Sequence, residues 1–329
     1  MLLLVTSVHA NEGDEPTKVN VNNFVRAETD MYFARSVKEG AFGKLVHKRQ
    51  PVPIDQQTVV RMNRDTLYSS GVFDLDAGPL SVKLPDAGKR FMSMQVINQD
   101  HYTLKVAYAP AQQEFDRKSA GTRYLFVIVR TLANGDSAED ITAANRLQDA
   151  IITRQSASGS FKVPRWDQTS QDKARDALAV LGSLGGVDHM FGSKQEVTPY
   201  DYLIGAAIGW GGNPRTAADY VSVYPKHSDG KTPHTLNVKD VPVDGFWSIS
   251  VYNSKGFFEK NALDAYSINN LTAKPNADKS YTIRFGGCER QTVNCLPITS
   301  GWNYTVRLYR PRPEILDGRW KFPEAQPVK

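Results

Sequence analysis

Only two cysteines occur in this chain, Cys288 and Cys295. So low a count excludes the disulfide-dense small scaffolds and leaves room for a single bridge. Beyond the first ten residues, no apolar run approaches the roughly 20 residues needed to cross a bilayer, so no transmembrane segment is expected. Basic residues form no block: 40 Lys and Arg are scattered among 35 Asp and Glu, for a net charge of +5, and nucleic acid is not an expected partner. The densest basic run, Lys44 to Arg49, reads as a solvated loop. A Gly-x-Ser-x-Gly elbow, a phosphate loop, a dinucleotide fingerprint and His-Glu-x-x-His are all missing, and no cofactor is expected. His47, His101, His189, His227 and His234 are too far apart to place two ligands on one element, so no metal site is read.

What is there is ordinary for a folded protein: 40% hydrophobic, 10% aromatic and 23% charged residues over 329 positions, about twice a usual domain. Met1 to Ala10 is apolar and ends in Val8-His9-Ala10, the small-x-small form of a signal-peptidase site, though it is short and lacks a basic start. Export to the periplasm or exterior is the expectation, with residues 1–19 a signal remnant and linker. In that setting Cys288 and Cys295, with six residues between them, read as one disulfide clipping a loop between strands; the rival, half of a zinc site, lacks nearby ligands.

Asn22 or Asn23 can cap a helix carrying Phe24, Ala27, Met31 and Ala34 on one face and stopping at Gly40. Between Thr58 and Arg130, short β-prone runs separated by Asp76-Ala77-Gly78-Pro79 and Pro85-Asp86-Ala87-Gly88 predict six strands. The last, Tyr124 to Val129, is apolar on both faces and should be buried on both sides. Helices are predicted after Ser137 (stripe Ile141, Ala144, Leu147, Ile151, Ile152), after Thr169 and Ser170 (Ala174, Ala177, Leu178, Leu181, Leu184), and at Thr198-Pro199. Strand signals return from Tyr220 to Arg310.

The two β regions look alike. Phe91 to Asn98 and Phe246 to Asn253 share Phe, Ser, Val and Asn at equal spacing; Leu80 to Lys83 matches Leu236 to Lys239 upstream, and Tyr124 to Arg130 matches Tyr304 to Arg310 downstream. This order predicts an internal duplication. The fold class is then α+β, mostly β with a helical middle: two related β-sandwich or jelly-roll-like modules, 20–135 and 216–329, joined by helices over 136–215.

The run Asn63-Arg64-Asp65-Thr66-Leu67-Tyr68, with Asp74 to Pro79 and Phe91 to Asn98, resembles the DUF1254 domain. Val241 to Ser248, with Gly301 to Tyr304 and Arg307 to Arg312, resembles the DUF1214 domain that usually follows it. The resemblance spans about Val21 to Pro323. It implies a mostly bacterial, often exported protein of two β-rich domains, and brings no catalytic set to carry over.

Two functions from different classes fit these residues. The first is an envelope protein holding a small molecule or glycan in a cleft between the modules, through Asn63, Arg64, Tyr68, Gln95 and Tyr102 on one side and Trp210, Trp247, Tyr252, Tyr266 and Tyr304 on the other. Aromatic faces edged with donors suit sugar rings, and an arginine fork suits a carboxylate. The second is a hydrolase or lyase in which His101, oriented by Asp65 or Asp100, moves a proton while Arg64 holds an anionic substrate. It requires those groups to converge.

Overall fold

The computed structural model describes residues 15–57 and 59–328; the apolar segment Met1 to Ala10 lies outside them. The first half contains α1 (Phe24–Lys38), β1 (Val46–His47), β2 (Thr66–Asp74), β3 (Leu80–Leu84), β4 (Met92–Asn98), β5 (Thr103–Tyr108), β6 (Ala111–Phe115), α2 (Arg117–Ala120), β7 (Tyr124–Leu132), α3 (Ala138–Asp149) and β8 (Ile152–Arg154). Then come α4 (Gln168–Ser183), α5 (Pro199–Gly209), β9 (Ala218–Val223), β10 (His234–Val238), β11 (Trp247–Tyr252), β12 (Ser267–Asn269), β13 (Tyr281–Phe285), β14 (Cys295–Leu296), β15 (Asn303–Tyr309), α6 (Pro313–Leu316) and β16 (Gln326–Pro327). The protein is mostly β, and β2 to β7 occupy the stretch where six strands were expected.

Two sheets make up each module. In the first, the order β1-β2-β7-β4-β5 faces β6-β3-β8; in the second, β12-β11-β15-β9 faces β14-β13-β10-β16. Read from the same end, β2-β7-β4-β5 and β9-β15-β11-β12 are one arrangement, and β6-β3-β8 corresponds to β13-β10-β16. The apolar alternate residues of β4 (Met92, Met94, Val96) and of β11 (Trp247, Ile249, Val251) both point into the sandwich, as a period of two requires for a strand with one core face. The register corrects one expected match. Arg130 pairs with Ser93 and Arg307 with Ser248, so Arg130 corresponds to Arg307 and not to Arg310, and Tyr124 to Gly301 and not to Tyr304.

Strand β7 is buried along its whole length. Leu125, Val127 and Val129 face the sandwich, while Tyr124, Phe126 and Ile128 pack on Phe33 of α1 and on Trp210. The helices cover this outer side of the first module. Helix α1 is fixed to α4 by Glu28, which is fully buried and accepts from Arg175 at 2.8 and 2.7 Å and from Gln171 at 2.9 Å.

Two helical expectations are revised. Helix α3 stops at Asp149, so Ile152 opens strand β8, paired with Lys83. On α4 only Ala174 and Leu178 join the core; Leu181 and Leu184 face solvent, because its apolar stripe is wider than the face that α1 and α5 cover.

Cys288 and Cys295 are joined, tying the end of β13 to β14. Closing so short a loop should stabilise the fold by about 2–3 kcal/mol. The Cys288→Ser/Cys295→Ser protein is therefore expected to unfold at lower urea but with an unchanged slope. A midpoint equal to the parent's would show that the loop is ordered without the bond.

Candidate functional site

The outer faces of β2-β7-β4 and β9-β15-β11 carry polar residues, and these two faces meet. Across the first runs the row Ser93, Arg130, Tyr68; across the second runs Ser248, Arg307, Tyr220. The three residue types are identical. Both arginines are almost completely buried, and neither has a carboxylate within ion-pair distance among the described residues. Each reaches the neighbouring strand of its own sheet in the same way: Arg130 Nη1 donates to Gln95 Oε1 at 2.9 Å, and Arg307 Nη1 to Ser250 Oγ at 2.8 Å.

Further acceptors are supplied reciprocally. The chain entering β9 crosses to the first module, where the Gly211 carbonyl and Asn213 Oδ1 accept from Arg130, both at 3.1 Å, and the Gly212 carbonyl accepts from Gln95 at 2.8 Å. The chain entering β2 crosses to the second, where the Arg61 carbonyl accepts from Arg307 Nη2 at 2.8 Å. Tyr252 also accepts from Arg307, at 2.6 Å, and donates to the Met62 carbonyl at 2.8 Å. Each buried guanidinium thus reads the backbone that introduces the other module. Neutral acceptors and tyrosine rings take the place of a counter-ion; Arg130 lies 5.6 Å over Tyr68.

On the seam, Asn63 Nδ2 donates to Thr66 Oγ1 at 3.1 Å, Tyr68 Oη at 3.2 Å and Tyr309 Oη at 3.1 Å. Burial pushes the Tyr68 phenol up, but the Arg130 guanidinium and the Asn63 donor more than reverse this and leave it below its ordinary value. Tyr309 is held well above its own by burial and by the neighbouring Tyr220 and Tyr68 phenols. Apolar contact completes the seam: the Phe91 and Phe246 rings are 5.1 Å apart, and Phe246 stacks on Tyr309 at 4.2 Å. Gly245 allows this approach, since a Cβ there would lie 2.6 Å from the Tyr309 carbonyl oxygen.

At one end the seam opens into a shallow polar cleft, lined by Arg64, Asp65 and Asp136 from the first module and Asp264, Tyr266 and Asn269 from the second. Asn63 Oδ1 accepts the Asp65 N–H at 2.9 Å and so turns the chain there. The Asp65 side chain, 1% exposed, accepts from Asn269 Nδ2 at 3.2 Å through Oδ1, while Oδ2 has no partner. Arg64 donates to the Val52 carbonyl and lies 5.4 Å over the Tyr266 ring; desolvation lowers its pKa.

The residues singled out in the sequence therefore divide. Arg64, Asp65 and Tyr266 come together at the cleft, and Asn63, Tyr68, Gln95 and Tyr252 lie in the seam behind it. Trp247 and Tyr304 do not: both are sealed inside the second sandwich, where the Tyr304 hydroxyl accepts the Ala325 N–H at 2.9 Å. Trp210 packs on Tyr32 and donates to Thr29 Oγ1, and Tyr102 stacks on Tyr202 at 4.8 Å. These two hold the helices to the first module.

His101, Asp65 and Asp100 do not converge. The His101 ring is 4% exposed, stacked on Trp210, and accepts the Gly211 N–H through Nε2 at 2.9 Å. Burial lowers its pKa to about 3. Asp100 turns to Arg26, whose Nε donates to it at 3.0 Å. The Nε2 bond makes His101 a clasp on the segment that covers Arg130. Among the described residues no three His, Cys, Asp or Glu side chains gather as metal ligands, and no helix is long and apolar enough to cross a membrane.

Arg130 and Arg307 are the residues that sequence reasoning missed. The repeated Val-Arg pair, Val129-Arg130 and Val306-Arg307, was the available signal; aligning on tyrosine hid it by three residues.

Two family models match the chain, each described as a protein of unknown function: DUF1254 over residues 42–127 and DUF1214 over 223–313. No curated protein matches it. Among solved structures, a protein of Vibrio parahaemolyticus is similar at 18% identity with a TM-score of 0.71, covering 94% of this chain and 100% of its own. An uncharacterised Burkholderia cenocepacia protein is similar at 10% identity and a TM-score of 0.52, covering 94% and 87%. At these identities the likeness concerns the fold alone. With DUF1254 in its first module and DUF1214 in its second, the chain is a DUF1254/DUF1214 domain-containing protein.

Proposed function

We propose that this protein binds a small, hydroxyl-bearing molecule in the cleft where its two modules meet, and that it does so outside the cytoplasm. The cleft carries the reading: both modules line it, and its walls are mainly carboxylate, amide and hydroxyl groups. Such convergent polar groups at a domain junction are what a small-molecule site needs for orientation. Hydrogen bonding, not stacking, would do the recognition, because Tyr266 is buried under Arg64 and Trp247 is in the core. The apolar start ending at Ala10 and the disulfide support export. The hydrolase or lyase alternative needed His101 beside a carboxylate, and its ring meets none.

A thermal-shift panel of neutral sugars, sugar acids, amino sugars and polyols tests the binding. A ligand present at 100 times its Kd adds about 2.7 kcal/mol to the folded state, so at least one member should raise the melting temperature clearly. In Ser267→Trp, which fills the cleft from β12, that rise should vanish while the ligand-free melting temperature stays near the parent's. Silence across the whole panel, or a rise that survives Ser267→Trp, would remove the site.

A further inference from the structure

One edge of the second module is open where the first module closes the same edge. Tyr68 and Tyr220 hold equivalent places, opposite Arg130 and Arg307, so Ser70 corresponds to Ser222 and Val72 to Tyr224. In the first module the chain from Ala41 to Lys48 covers this edge. The Lys48 N–H donates to the Tyr68 carbonyl at 2.7 Å, β1 pairs with Ser69 and Ser70, and Val72 donates to Ala41 at 2.8 Å and accepts from Gly43 at 2.9 Å. Strand β9 is the last strand of its sheet and has no counterpart of β1 among the described residues. The Ala217 carbonyl accepts the Arg310 N–H at 2.9 Å, which sets the phase of the ladder. Bonded and non-bonded pairs alternate between antiparallel strands. Val221 and Val223 therefore bond to β15, whereas Tyr220 and Ser222 turn their N–H and C=O groups to the open side.

An open edge is a template for another strand, and folded proteins usually guard it with lysine, proline or a bulge. The run Tyr220-Val221-Ser222-Val223-Tyr224 carries none of these; it is uncharged, β-branched and aromatic, and its register with β15 is unbroken. Its tyrosines are unusually accessible, Tyr220 at 41% and Tyr224 at 67%. The run also reads the same in both directions. Antiparallel pairing with a second copy about Ser222 sets serine against serine, valine against valine and tyrosine against tyrosine, in the phase where the open N–H and C=O groups meet. Asp219 precedes the run and Lys226 follows it. Antiparallel pairing thus brings unlike charges to both ends, whereas parallel stacking would align like with like.

We propose that β9 is the interface of a two-fold homodimer: β9 of one protomer pairs antiparallel with β9 of its partner, centred on Ser222, and joins two four-stranded sheets into one. This surface is separate from the cleft and does not depend on the binding reading. One short strand and two tyrosines from each protomer bury less than a permanent interface does, so association should depend on concentration.

Sedimentation velocity of the whole protein over a concentration series at low salt tests this. The parent should pass from monomer to dimer as concentration rises, with no larger species. Ser222 is exposed and its backbone does not bond to β15, so it can be changed without touching the ladder. Ser222→Lys and Ser222→Glu each set like charges face to face on the two-fold axis, and each should weaken the dimer about fivefold or more. An equimolar mixture of the two variants should associate as tightly as the parent, a recovery that misfolding of either one cannot produce. A parent that stays monomeric at every concentration overturns the proposal and leaves the edge to a strand of a different protein. A dimer unchanged in both variants, variants that do not recover on mixing, or growth beyond two copies overturns the β9 two-fold.

Discussion

Replacing Arg307 by methionine should destabilise the protein by about 3–5 kcal/mol, measured as a lower urea midpoint, because the loss strands several buried acceptors at once. The Arg61 and Met62 carbonyls, Ser250 Oγ and the Tyr252 hydroxyl all receive hydrogen bonds from this one side chain. Arg130→Met should cost a similar amount, through Gln95, Asn213 and the Gly211 carbonyl. Lysine at either position keeps the charge and much of the stem but replaces a planar fork by one ammonium that cannot span these acceptors. If the arginines act through geometry, lysine should recover less than half of the loss. Recovery of nearly all of it would mean that charge, not the fork, joins the modules. Since each arginine bonds to the segment entering the other module, both methionine variants should also loosen the seam, seen as faster amide exchange at Arg61 to Asn63 and at Gly211 to Asn213.

Acid should weaken the fold well before its carboxylates titrate. His101 is neutral in the folded protein, its pKa lowered by burial to about 3, whereas in the unfolded chain it protonates near 6.5. Below that value the unfolded chain binds a proton the folded one refuses, so the stability is complete above about pH 6.5 and lost as the pH falls toward 3. One such group removes about 1.4 kcal/mol per pH unit, or about 3 kcal/mol between pH 7 and pH 4. Burial, with Arg49, also lowers His47 and adds a smaller loss of the same sign. Asp74 acts at lower pH: burial raises its pKa, but Arg123 and the amides of Ser160 and Asp76 outweigh this and hold it below its usual value. Its contribution is lost only as the pH falls past the ordinary carboxylate range.

His101→Asn isolates the imidazole, since asparagine tolerates the positive φ of 65° at that position. At pH 7 the variant should lose about 1–3 kcal/mol with the Gly211 hydrogen bond. By pH 4 its urea midpoint should approach or pass the parent's, because it has no imidazole to protonate. Midpoints that stay parallel from pH 7 to pH 4 would assign the acid sensitivity to other groups.

Local chemistry was enough for much of this molecule. Turn residues such as Asp76-Ala77-Gly78-Pro79 punctuate the strands because their backbone preferences act over a few residues. The all-apolar run in β7, the proline-led start of α5, the single disulfide and the two family domains were legible for the same reason. The site was not. Gln95, Ser250 and both arginines are polar residues on alternating strands, a pattern that ordinarily marks a solvent face. They are buried because chain from the other module lies over them, with 81 residues separating Arg130 from Gly211 and 246 separating Arg307 from Arg61. His101 likewise looked like an acid-base group until Gly211, 110 residues away, closed over it. Pairings at such separations leave no periodic trace along a chain. Which polar residues are ligands, which are clasps and which are core is settled only when the two modules dock.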